Sequence, residues 1–326
     1  MAKRKLLSRF QRFWFSSRRR NSIKGFTLLE LLVTTAIAGG IVSGLLFIVV
    51  QLMSVDQRES AQSTTQQEMQ LALNYISTEM RDAVYVYTGK VLAPENPPST
   101  PPRRNGQSLM DFLPTSLSTN SFPVIAFWKQ QPFPDAIKLA CAGSTPPAGV
   151  SCSNGSSYAL VVYSLSTHDP DDTWKGNARI TRYALTEFSS TGASTVGYVN
   201  PGVYNNNFDT WPYGTNETGL VNLQTARPSS VTPAALVDFV DNAGSAGACP
   251  NATTTGVSYD ISPKAGVRSF YACVNDRQTL GDSQDVLIYL RGNVAGRPGA
   301  SLASPFLPTL ETRVLSRGVL GRVPTN

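Results

Sequence analysis

The sequence predicts an α+β chain, with one long N-terminal helix followed by an antiparallel β-sheet head. Two observations carry this. Residues 26–50, FTLLELLVTTAIAGGIVSGLLFIVV, are apolar on every side of a helix, and apolar residues recur at helical spacing beyond them. From residue 121 onward, β-branched and aromatic runs are punctuated by Gly, Pro, Asn and Ser. The 22 prolines and 25 glycines in 326 residues suit a loop-rich β domain better than a helical bundle.

Residues 1–25 form a basic leader. It holds Lys3, Arg4, Lys5, Arg9, Arg12, Arg18, Arg19, Arg20 and Lys24 and no acid. The whole chain has 28 basic and 22 acidic residues, so 19 basic residues remain against 22 acids and the rest nets −3. The basicity is therefore local. It gives no reason to expect nucleic-acid binding by the folded domain. Leu6, Leu7, Phe10, Phe13, Trp14 and Phe15 lie among the charges, a mixture suited either to the inner leaflet or to a solvated tail.

Residues 26–50 form a candidate transmembrane helix. At 1.5 Å per residue the segment reaches about 37 Å, enough to cross a hydrocarbon core of about 30 Å. The positive flank places the N-terminus in the cytoplasm and the bulk of the chain across the membrane. A cleaved secretory signal would need small residues after the apolar stretch, and the sequence continues instead as QLMSVDQRES. An uncleaved signal anchor competes better, but it leaves Glu30 unexplained. A carboxylate near the end of a membrane helix costs ~1–3 kcal/mol to insert. Snorkelling to the interface would relieve that cost, as would pairing with an amine created at Phe26 by cutting after Gly25.

The run Lys24-Gly25-Phe26-Thr27-Leu28-Leu29-Glu30-Leu31-Leu32-Val33 resembles the prepilin signature of type IV pilins and type II secretion pseudopilins. The resemblance implies a pilin-like fold, cleavage between Gly25 and Phe26, N-methylation of Phe26, and a role for Glu30 in docking subunits during assembly. It implies as partners a prepilin peptidase/methyltransferase, other pilins or pseudopilins, an inner-membrane assembly platform and membrane lipid. It also implies a single-pass inner-membrane protein with a periplasmic head, later part of a pilus or pseudopilus or at the cell surface. Two departures stand out. The 25-residue leader is long, and the proline that major pilins often carry in this helix is missing, with Gly39, Gly40 and Gly44 as the substitutes for flexibility or close packing.

Residues 51–87 are read as an amphipathic continuation of the helix, with Leu73, Ile76, Met80 and Val84 on one stripe and the helix running from about Phe26 to Val84. Residues 88–120 are a linker too proline-dense for regular structure. Residues 121–326 form the β-rich head, with strands expected at 124–129, 158–166, 179–188, 267–274 and 285–293. The run AALVDFV at 234–240 is ambiguous between strand and short helix, and 189–232 reads as an extended excursion.

Cys141, Cys152, Cys249 and Cys273 contain no CxxC pair, and His168 is the only histidine, so no metal site or cofactor is expected. In an exported domain two disulfides are the default. Three connectivities are open, and Cys141–Cys152 with Cys249–Cys273 is favoured because both pairs are local. His168 with Asp169, Asp171 and Asp172 is the most enzyme-like cluster, but it reads as a solvated turn. Asp282 and Asp285 lack EF-hand spacing and read as turn residues. No GxSxG, P-loop or HExxH is present, and no catalytic residue is nominated. Asn154, Asn216 and Asn251 begin N-x-S/T triplets read as incidental. Trp128, Trp174, Trp211, Tyr198, Tyr204 and Tyr213 are assigned to packing ahead of a sugar- or DNA-facing surface.

The expected function is that of a minor pilin or pseudopilin supporting filament assembly, secretion or motility. The large head resembles the pilin W class and the type II secretion J class. Length and leader resemble pseudopilins of cyanobacterial polysaccharide secretion. The alternatives are a filament-tip adhesin or sugar-binding module, and a signal-anchored extracytoplasmic enzyme. Glycan binding by residues 86–326 would mark the former, and a hydrolytic activity dependent on His168 the latter.

Overall fold

The computed structural model describes residues 25–92, 107–143, 147, 149–167, 173–202, 208–216, 219–244, 247–251, 257–264, 266, 269–276, 283–300 and 306–316. Residues 1–24 of the leader, His168 with its neighbouring aspartates, Tyr204 and Asp282 lie outside these. The chain divides into two units, one through Ser54 and one from Val55.

Helix α1 spans Leu28–Arg81. Within the first unit every helical side chain is exposed. Thr34 and Thr35 turn their hydroxyls onto the carbonyl of Leu31 at 3.0 Å, which satisfies them without water. Within the second unit Ala61, Thr65, Met69, Ala72, Leu73, Ile76 and Met80 are buried as one stripe, with Ala72 and Leu73 side by side and the other steps three or four residues.

The helix ends at Arg81, earlier than Val84 as the apolar spacing suggested. Residues Ala83–Val86 instead form β1. The reason is tertiary: Tyr85 and Val86 pair with Trp128 and Phe127, and this ladder outweighs continuation of the periodic pattern.

Next comes a short helix, α2 (Gly89–Leu92), then β2 (Ser121–Pro132), α3 (Asp135–Ala142), β3 (Ser156–Ser166) and β4 (Ala178–Thr186). They are followed by β5 (Tyr213–Asn216), β6 (Gly219–Asn222), β7 (Ala234–Val240), β8 (Tyr259–Ser262), β9 (Phe270–Asn275), β10 (Asp285–Arg291) and β11 (Thr309–Leu315). Five strands form one antiparallel sheet in the order β1-β2-β3-β4-β7, four form another in the order β11-β10-β9-β8, and β5 and β6 make a hairpin. The ambiguous run at 234–240 is thus a strand.

The five-stranded sheet is covered on both faces, which explains the continuous burial along β2 and β3. On one face Ile125, Phe127, Val161, Tyr163 and Ile180 meet Met69, Ile76 and Met80 of α1, together with Phe270, Val286 and Ile288 of the second sheet. On the other face Trp128, Leu160, Val162 and Leu185 meet a second core. That core draws on the segment read as a structureless linker. Residues 109–112 and 115–117 form 3-10 turns, and Leu109, Phe112, Leu113 and Leu117 insert into it. Asp111 accepts the Ser108 N–H at 2.7 Å and closes the first of these turns.

The excursion at 189–232 supplies the rest. Phe208 and Trp211 pack on Trp128, whose ring lies 5.5 Å from that of Trp211, and Tyr213 packs edge-on to Phe112. Tyr87 completes this core, donating to the Phe208 carbonyl at 2.6 Å and accepting from Trp128 Nε1 at 2.8 Å.

One side chain joins the two sheets. The Gln284 amide receives the Val86 N–H at 2.7 Å and donates to the Val86 carbonyl at 3.0 Å. It acts as a peptide mimic at the edge of β1.

Candidate functional site

The strongest motif of the sequence lies at the start of α1. Gly25, Phe26 and Thr27 are not helical, and α1 begins at Leu28. Gly25 is open: a methyl group at its Cα would meet nothing within 4 Å. Phe26 is 75% exposed. The bond between them therefore lies in an accessible, non-helical stretch.

Thr27 sets the boundary. Its Oγ1 accepts the Glu30 N–H at 3.2 Å, and its carbonyl accepts the Leu31 N–H at 3.1 Å. This is the hydrogen bonding of an N-cap, where the first turn of a helix has N–H groups without intrahelical acceptors. Glu30 is an acid in that first turn, where the helix dipole favours negative charge. The Thr-x-x-Glu spacing of a capping box was present in the sequence as Thr27 to Glu30 and went unread there. Gly25, Phe26, Thr27 and Glu30 thus form one chemical unit: an open peptide bond, a cap and a carboxylate.

Beyond them, Leu31, Leu32, Ile37, Ile41, Leu45, Phe47, Ile48 and Val50 are each at least half exposed. Each large apolar side chain left in water forgoes about 1.5–3 kcal/mol. The stretch is long and apolar enough to cross a membrane.

The four cysteines are joined in the two local pairs, Cys141–Cys152 and Cys249–Cys273, with Cα separations of 5.5 and 5.6 Å. The first closes a flap around α3 in which Phe133, Ile137 and Phe188 form a small core of their own. The second anchors the segment before β8 to β9.

Asp285 is not a turn residue as expected. It opens β10, is buried, and receives a bifurcated hydrogen bond from Arg313 Nε at 2.9 and 3.1 Å, one from Arg313 Nη2 at 2.6 Å and one from Tyr259 at 2.5 Å. Among the described residues, no three His, Cys, Asp or Glu side chains stand together as a metal-binding set. Trp128, Trp211, Tyr198 and Tyr213 belong to the second core or pack on it, while Trp174 is 40% exposed and lies against Arg179.

Sequence reasoning missed an acid of the head that three side chains engage at once. Glu79 lies on the buried side of α1 and reaches β2, β3 and β4 together. Arg182 donates to its two oxygens at 3.0 and 2.5 Å, Lys129 stands 2.7 Å away, and the buried Tyr163 hydroxyl donates to it as well. Burial alone would push the carboxyl up. The bonds from Arg182, Lys129 and Tyr163 together outweigh burial and hold it at about 2. Arg182 is raised in turn, chiefly by its bond to Glu79. Tyr163 is raised by burial first and by Glu79 second. The available signal was an acid adjacent to Met80 and three residues after Ile76, inside an otherwise apolar stripe.

No family model, curated protein or solved structure matches this chain.

Proposed function

We propose that the chain is a prepilin-type subunit of a type IV pilus or type II secretion-like filament. In this reading a peptidase cuts between Gly25 and Phe26 and the new amine is methylated. The subunit then waits in the inner membrane with its head in the periplasm and passes into the filament. The bulky two-sheet head suits a minor subunit, one that starts or tips a filament.

One observation carries the reading. An open Gly-Phe bond is followed by a Thr cap, a single acid and a helix stretch with every side chain exposed. Such a stretch needs apolar cover throughout, and lipid first and neighbouring helices later both supply it. The carboxylate of Glu30 is then the one fixed charge near the new end, and the amine of Phe26 is its natural counter-ion. A simple anchor requires neither the glycine nor the acid.

The test is processing. In cells with a prepilin peptidase, intact-mass measurement should find the wild-type chain beginning at Phe26 with an added methyl group. Gly25→Ala should leave the leader attached. A wild-type protein that keeps residues 1–25 in its working location would end the proposal.

A further inference from the structure

We propose that β11 is a docking edge for a second copy of this chain. The two β11 strands would pair antiparallel about Thr312 and join two four-stranded sheets into one of eight.

Among the described strands β11 is the last of its sheet, with β10 its one neighbour. It runs Thr309–Leu315, TLETRVL, with seven consecutive pairs to β10 and no register shift. It contains no proline and no bulge, so among the described residues its outer backbone edge is regular and uncovered. A strand edge of this kind is a template for another strand.

The side chains determine which strand fits. Successive residues face opposite sides of the sheet. Leu310 packs against the core and Val314 is buried, so Thr312 shares their face. Glu311 and Arg313 are exposed on the other face. A two-fold axis perpendicular to the sheet keeps each residue on its own face. Placed at Thr312, it sets Glu311 of each copy against Arg313 of the other, twice. It also sets Leu310 against Val314, Thr312 against Thr312, and Thr309 against Leu315, which is 59% exposed. Placed at Glu311 or Arg313, the axis would bring like charges together. Placed at Leu310 or Val314, it would leave neither charge opposite its counterpart within the strand, which ends at Leu315. Within Thr309–Leu315 the charges are matched in this register alone.

Charges on an edge ordinarily discourage pairing. Here the two signs stand two residues apart on one face, and that arrangement selects a partner. Arg313 serves Asp285 through Nε and Nη2 and also bonds Tyr259. A guanidinium carries five N–H donors and this side chain is 64% exposed, which lets it engage a second carboxylate. Glu311 receives Tyr289 within its own chain, and a carboxylate accepts more than one donor. This inference concerns the head and does not depend on whether the leader is cut.

Thr312→Cys in the full-length chain, in membranes and in detergent, is the direct probe. All four native cysteines are bridged, so the new thiol is the only one available. Mild oxidation should give a disulfide-linked dimer on a non-reducing gel. Adding Glu311→Arg should lower its yield about tenfold, because two attractive cross-strand pairs become repulsive. Mixing that chain with one carrying Arg313→Glu and Thr312→Cys should restore a mixed dimer, since the opposed charges again match. Arg313→Glu also places an acid beside Asp285, so a second measurement uses otherwise native chains. Thr309→Cys mixed with Leu315→Cys should cross-link, and Thr309→Cys alone should not. The proposal is overturned by absence of a Thr312→Cys dimer, by a yield indifferent to Glu311→Arg, or by equal cross-linking of Thr309→Cys with itself.

Discussion

Replacing Glu79 with glutamine should destabilise the head by about 3 kcal/mol at neutral pH, and the loss should fade in acid. The carboxyl sits at about 2 in the fold against an ordinary value of 4.5. At ~1.36 kcal/mol per pH unit that difference is worth about 3.4 kcal/mol. The same order follows from breaking a buried ion pair, because Arg182 and Lys129 keep their charges after the acid is gone. The folded value lies below the unfolded one, so the full contribution is present above about pH 5. It drains away as pH falls toward 2, and at pH 3 linkage leaves about 1.4 kcal/mol. Urea denaturation followed by tryptophan fluorescence reads this directly, since Trp128 and Trp211 are buried and report loss of the sheet. The two proteins share every other ionisable group, so those contributions cancel in the difference. The reasoning fails if Glu79→Gln matches wild type at pH 7, or if the gap between them stays constant from pH 7 to pH 3.

Three further outcomes are expected. Glu30→Ala should be cut at Gly25 and retained in the membrane yet enter filaments poorly; fractionation of sheared filaments against membranes measures this, and normal incorporation would remove the docking role. Tyr87→Phe should cost about 2–3 kcal/mol in the same urea assay, because Trp128 Nε1 and the Phe208 carbonyl both lose the hydroxyl they share. Opening the Cys249–Cys273 bridge by a double serine substitution should cost about 3.5 kcal/mol on the loop-entropy scale for its 24-residue separation. The Cys141–Cys152 bridge, with a separation of 11, should cost less and loosen mainly the α3 flap.

The parts legible in the sequence were those in which local pattern and tertiary role agree. The strand read at 158–166 is β3, and the one read at 124–129 lies within β2, because both are β-branched or aromatic runs bounded by turn residues. The apolar start of α1 was legible because no soluble core demands such uniformity. Where a segment serves a distant partner, local pattern misled. Ala83–Val86 continues the helical spacing, but its backbone belongs to β2. Residues 109–117 sit beside a proline-rich stretch, yet their apolar side chains fill a core assembled from five other segments. β11 escaped notice because Glu311, Thr312 and Arg313 stand together and break the two-residue alternation, as an edge strand can tolerate. Glu79 was invisible because its three partners lie on three different strands, 50 to 103 residues further along.

The short helix α2 has a consequence for how far any self-association could proceed. It lies along β8, the opposite margin of the four-stranded sheet, so near that a methyl group on Gly89 would collide with the Ile261 carbonyl. Asp260 of β8 fastens it by accepting the Lys90 N–H at 2.8 Å. Among the described residues, one margin is therefore covered while the other is not. Sheets built this way have a terminus in their own design: two molecules consume both open margins, and no third can add. Loosening α2 would convert a closed pair into the seed of a fibre.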